Sequence, residues 1–150
     1  MTQALVNMAF KNDKNKADIA RLGGIERVVG AMASHPDNLR VQEAACGVLG
    51  NLAVDEDNRE AIAAAGGVER VLAAMRAHAA KPRLQEQACG ALMNVGWSHR
   101  HFYTVRQRAL QDRIRAAGGE VAIRDAIAAP GSTLATCQNG EKLLDWLTRF

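Results

Sequence analysis

Two stretches decide the fold: VQEAACGVLGNLA, from Val41 to Ala53, and LQEQACGALMNVG, from Leu84 to Gly96. They align at an offset of 43 residues, which pairs Gln42 with Gln85, Cys46 with Cys89, Gly47 with Gly90, Leu49 with Leu92 and Asn51 with Asn94. The same offset pairs Ile25 with Val68, Arg27 with Arg70, Met32 with Met75 and His35 with His78. Self-similarity at one period over so many positions is the mark of a repeat architecture. Double glycines at Gly23-Gly24, Gly66-Gly67 and Gly118-Gly119 punctuate the chain at related places.

Each unit reads as three helices. Asp57 to Ala65 is short, with Asp57 or Asn58 as N-cap and Gly66 as its stop. Gly67 to about His78 carries Val68, Val71, Leu72 and Met75 at helical spacing. After a break with Pro82, a long helix runs from about Arg83 to Trp97, striped by Leu84, Ala88, Ala91, Leu92 and Val95. Pro36 and Pro130 mark the corresponding breaks, and proline suits a first turn that needs no N–H from it. The start of the chain holds a partial copy, in which Asn7 matches Asn51. The stretch from Asn94 to Gly118 is nine residues longer than that from Asn51 to Gly66, and a divergent last copy follows.

Three helices in about 42 residues, a glycine pair between the first two and an Asn late in the third resemble the armadillo repeat. The run AACGVLGNLAVDEDNREAIAAAGGVERVLAAM, Ala44 to Met75, carries the match. HEAT repeats are the nearest competitor, but usually have two helices per unit and lack this Asn and the glycine pair. The resemblance implies an all-α, right-handed superhelical solenoid of about three and a half units. The expected division is a stub over 1–22, repeats over 23–65 and 66–117, and a divergent terminal repeat over 118–150.

The resemblance also implies a concave groove, lined by the third helices, that binds an extended peptide through a ladder of Asn7, Asn51 and Asn94. A carboxamide offers both a donor and an acceptor, so it can hold a peptide N–H and C=O together. The plainer reading is that these amides bond neighbouring backbone. In the last unit the ladder position falls at about Lys142. The nuclear-transport adaptors of this family carry Trp one turn before the Asn, where this chain has Gly47 and Gly90. The shelf that clamps lysine stems is therefore absent, and these glycines suit close helix approach. Helix geometry adds Glu43 and Val54 beside Asn51, and Glu86 and Trp97 beside Asn94, with Arg40 and Arg83 near the start of that face. Trp97 is either a binding anchor or a plug under the inserted segment.

Composition agrees with this reading and bounds the function. Of 150 residues 48% are hydrophobic and only 4% aromatic, and 28 Ala favour close helix packing over a sheet sandwich. Between Gly96 and Ala117 stand Arg100, Arg106, Arg108, Arg113 and Arg115 against Asp112 alone, so that segment is net +4 and the rest of the chain net −1. The alternative function is therefore an anion, phosphate or RNA contact on an Arg-rich helix over 100–115, whose apolar stripe would be Phe102, Val105, Ala109 and Ile114. A solvated helix face is the bland version of the same segment.

Other chemistry finds little support. His99 and His101 lack partner ligands for a metal. His35 and His78 suit helix C-termini. Cys46, Cys89 and Cys137 read as one repeat position in separate layers, without CxxC spacing, a base or an oxyanion site. Phosphate-binding and hydrolase motifs are absent. The expectations are a non-enzymatic scaffold without cofactor or metal, binding a protein or peptide, with no membrane span and a cytoplasmic or also nuclear location. Apolar ends at Leu5, Met8, Phe10 and from Leu143 to Phe150 fit a piece of a longer array or self-association through solenoid ends.

Overall fold

A computed structural model describes residues 13–96 and 105–149. Among them the helices are α1 (Asp13–Arg21), α2 (Gly24–Ser34), α3 (Leu39–Leu52), α4 (Glu56–Ala64), α5 (Gly67–Ala77), α6 (Pro82–Gly96), α7 (Val105–Ala116), α8 (Gly119–Ala128) and α9 (Leu134–Thr148), with no strand. They come in three sets of three. The third helices α3, α6 and α9 pack on one another most extensively, so they form a continuous inner layer. One apolar core runs through all three sets, including Ile25, Leu49, Leu72, Leu92, Ile123 and Leu143. This is the all-α architecture that the repeat spacing predicts.

The glycine pair has two separate jobs in every set. Its first member turns left-handed, with φ of 75° at Gly23, 81° at Gly66 and 73° at Gly118. That backbone is costly for any residue with a Cβ. Its second member leaves room for an isoleucine five residues earlier. A Cβ on Gly24, Gly67 or Gly119 would lie 2.5, 2.7 or 2.4 Å from the Cγ2 of Ile19, Ile62 or Ile114. The pair thus ends each first helix and presses it onto the second.

A buried glutamine then ties the second helix to the third. Gln42 Nε2 donates to the carbonyls of Met32 (3.0 Å) and His35 (2.8 Å), and Gln85 Nε2 to those of Met75 (2.9 Å) and His78 (3.1 Å). Those carbonyls belong to a helix end that lacks intrahelical donors. His35 and His78 are the C-cap residues themselves, and the His78 ring Nε2–H donates to the Pro36 carbonyl of the preceding set at 2.9 Å.

Several local expectations are corrected. The N-cap of α4 is Asp55, whose carboxylate accepts from the Asn58 N–H; Asn58 is buried and donates to the Leu52 carbonyl at 3.1 Å. Only Pro82 occupies a helix first turn; α3 starts from an Asn38 cap and α9 from a Thr133 cap, beyond Pro36 and Pro130. On α7, Val105 is 89% exposed and Ala109 also faces solvent, so the buried stripe is Gln111 and Ile114 rather than Val105, Ala109 and Ile114. Phe102 lies outside the described residues. Leu143 and Leu147 of the apolar finish are buried, while Val121 and Leu134 are exposed.

Candidate functional site: the face of the third helices

The three third helices share one register. Asn51, Asn94 and Trp146 each stand twelve residues after the first residue of their helix, at Leu39, Pro82 and Leu134. Trp146, not Lys142, therefore stands in α9 where Asn51 and Asn94 stand in theirs. Aligning on Cys137 misled by one turn. Cys46 and Cys89 stand seven residues into α3 and α6, whereas Cys137 stands three residues into α9, where Gln42 and Gln85 stand in theirs.

On α3 the residues Ala44, Gly47 and Asn51 are half-buried, and on α6 so are Gln87, Gly90 and Asn94. Their spacing places them on one face of each helix, and buried Ala45, Cys46, Ala88 and Cys89 turn the other way. The face has a glycine floor. A Cβ on Gly47 would meet only the end of the Gln87 side chain (3.0 Å), and one on Gly90 only Asn139 Nδ2 (3.9 Å). The close helix approach expected at these two glycines instead occurs at Gly50, where a Cβ would lie 3.3 Å from Ala91 Cα.

The two described asparagines differ. Asn94 Nδ2 donates to the Gly50 carbonyl at 2.9 Å, across the α3–α6 contact. Its Oδ1 and second N–H remain for another partner. The Asn51 carboxamide makes no hydrogen bond among the described residues. Glu43 is half-buried beside this face, and Glu86 Oε2 accepts from Thr133 Oγ1 at 2.8 Å. Arg40 and Arg83 are exposed at its start. Asn7 and Trp97 lie outside the described residues.

Two of the described arginines of α7 are paired with carboxylates. Arg113 forms a two-pronged ion pair with Glu69 of α5, Nε to Oε1 at 2.6 Å and Nη2 to Oε2 at 3.2 Å. Arg115 pairs with Asp112 at 3.0 Å and Glu120 at 3.7 Å, and also donates to the Leu147 carbonyl. Arg108 is exposed. Arg100 and the Arg106 side chain lie outside the described residues. The shallow depression lined by Gly66, Glu69, Arg70 and Arg113 is thus bridged by charge and made by α5 and α7, not by the third helices.

The thiols are free. Burial, with Cys89 nearby, pushes Cys46 up to about 12; burial, with Cys137 nearby, does the same to Cys89. Neither is a nucleophile near neutral pH. Among the described residues no group of three or more His, Cys, Asp or Glu side chains could hold a metal, and no helix is long and apolar enough to cross a membrane.

Sequence reasoning missed Gln87 and Asn139 on this face. The signal was available at Gln87, which lies seven residues before Asn94. It was hidden at Asn139 by the misplaced register of α9.

The model of the armadillo/beta-catenin-like repeat matches residues 12–54, a span that begins and ends with α1 and α3. This chain carries an armadillo repeat. Its second set repeats the glycine turn, the isoleucine contact and the glutamine tie of the matched one. The chain is also similar to protein aardvark of Dictyostelium discoideum, with 51% identity over 45 residues. The match spans 30% of this chain and 6% of that much longer protein. Armadillo repeats generally mediate protein–protein interaction and are typically non-catalytic scaffolds.

Proposed function

We propose that the face formed by α3, α6 and α9 binds an extended peptide segment of a partner protein, without catalysis. The observation that carries this reading is the common register of the third helices. It sets Asn51 and Asn94 in one row beside Gly47 and Gly90, with the Asn51 carboxamide unengaged. Such a row grips backbone and leaves side chains free. The flat floor at Gly47 and Gly90 suits a strand pressed close to the helices, not long side chains clamped between aromatics. The free buried thiols suit a reducing compartment, hence the cytoplasm or nucleus. The charge reading of α7 is second, because Arg113 and Arg115 spend their charge on carboxylates within the fold.

The test is selection of binders from a random peptide display library on the full chain, followed by titration of the best peptide. Asn51→Ala with Asn94→Ala should weaken it roughly tenfold or more, the scale of two lost hydrogen bonds. Added salt should change little. Unaltered binding in this variant, or binding abolished by salt and by Arg108→Glu, would overturn the reading.

A further inference from the structure

Resting on that peptide-binding reading, we infer that Gln87 and Asn139 form a second carboxamide row, which bonds the opposite edge of the same bound strand. Both stand five residues after the first residue of their helices, at Pro82 and Leu134. Each lies against a glycine of the preceding third helix. Gln87 Oε1 is 3.0 Å from where a Gly47 Cβ would be, and Asn139 Nδ2 is 3.9 Å from the same point on Gly90. Both are half-buried, and neither carboxamide hydrogen-bonds among the described residues. The Gln87/Asn139 row is therefore not spent on the fold.

The two rows root on either side of the glycines. Gln87 and Asn94 are seven residues apart on one helix face, about 10.5 Å at 1.5 Å per residue. The Gln87 and Asn139 amide ends reach over Gly47 and Gly90, one turn before the Asn row, so a strand laid beside that row meets them with its other edge. An extended backbone presents N–H and C=O along both edges, and a carboxamide complements either group. Amides on both walls satisfy a strand that would otherwise lose water on one edge without compensation. Neutral amides on both sides select backbone geometry and not charge. The preferred partner is an extended segment without a required basic or acidic motif.

The probe is the best peptide from the display selection, together with its single N-methyl variants, each of which removes one backbone donor. Gln87→Ala with Asn139→Ala should weaken the parent peptide roughly tenfold, leaving the thermal unfolding midpoint within a few degrees of the unaltered chain. The N-methyl positions that lose their effect in this variant should differ from those that lose it in Asn51→Ala with Asn94→Ala. If the Asn variant weakens binding and the Gln87/Asn139 variant does not, the second row is overturned while the groove stands. The same holds if both variants couple to the same N-methyl positions. If selection returns no peptide, or the Asn variant binds unchanged, both the row and the groove fall.

Discussion

Asn94 reaches from α6 to the Gly50 carbonyl of α3 at the point where Gly50 brings the two helices into backbone contact. One carboxamide thus fastens two sets together and still presents an acceptor outward. Asn51 has no such second task. Asn94→Ala should therefore lower stability by about 1 kcal/mol, and Asn51→Ala by less than about 0.5 kcal/mol, in urea unfolding. Equal losses would contradict the asymmetry.

The glycines separate by purpose. Gly67→Ala drives a Cβ to 2.7 Å from Ile62 Cγ2 and 2.9 Å from its carbonyl oxygen, so a loss of about 2–3 kcal/mol is expected. Gly66→Ala, at φ 81°, should cost about 1–2 kcal/mol through backbone strain. Gly47→Ala meets only the flexible end of Gln87 and should gain up to about 1 kcal/mol from helix propensity. That same variant should bind the selected peptide more weakly, because the added methyl raises the floor. Thermal melts of the three variants, with one titration, check the order.

The buried glutamines are not equivalent. Both donate to two carbonyls, but Gln85 Oε1 is buried without a partner. Replacing Gln85 removes that penalty along with its bonds. Gln42→Met and Gln85→Met should both destabilise, by about 1–3 kcal/mol, with Gln42→Met the worse. The reverse order in urea unfolding would disprove this account.

The thiols set an alkaline limit. Cys46 and Cys89 rise from 9.0 to about 12 on folding. Above pH 9 the unfolded chain releases protons that the folded chain keeps, so stability falls as pH climbs from 9 towards 12. Each thiol contributes about 1.4 kcal/mol per pH unit to that slope at most. Cys46→Ala with Cys89→Ala should flatten the fall in melting temperature between pH 8.5 and 10.5. An unchanged slope would mean that the thiols do not govern it.

Much of this was legible in the sequence because it is periodic. The offset of 43 residues, the glycine pairs and the shared face of Asn51 and Asn94 follow from spacing alone. What spacing could not show was competition between equivalent groups. Asp55, Asp57 and Asn58 can all cap a helix, and Asp55 takes that place because Asn58 turns inward to Leu52. Long-range partners were equally hidden. Nothing in the order of residues joins Arg113 to Glu69, and a run of arginines reads as free charge until its carboxylates are located. The divergent third set hid its register because its only Cys occupies the glutamine position.

The ion pair between Glu69 and Arg113 makes the array unequal along its length. The first two sets are joined by the tight Gly50–Ala91 contact and by hydrogen bonds from Asn94, His78 and Arg59 to backbone carbonyls. The joint between the second and third sets adds to its packing a half-exposed charge pair and the Arg76 bond to the Ala117 carbonyl. Ions screen such a pair. Units of a solenoid hold only their neighbours, so rising ionic strength loosens one particular seam. The spacing of Trp146 from Asn94 should therefore respond to salt more than that of Asn94 from Asn51.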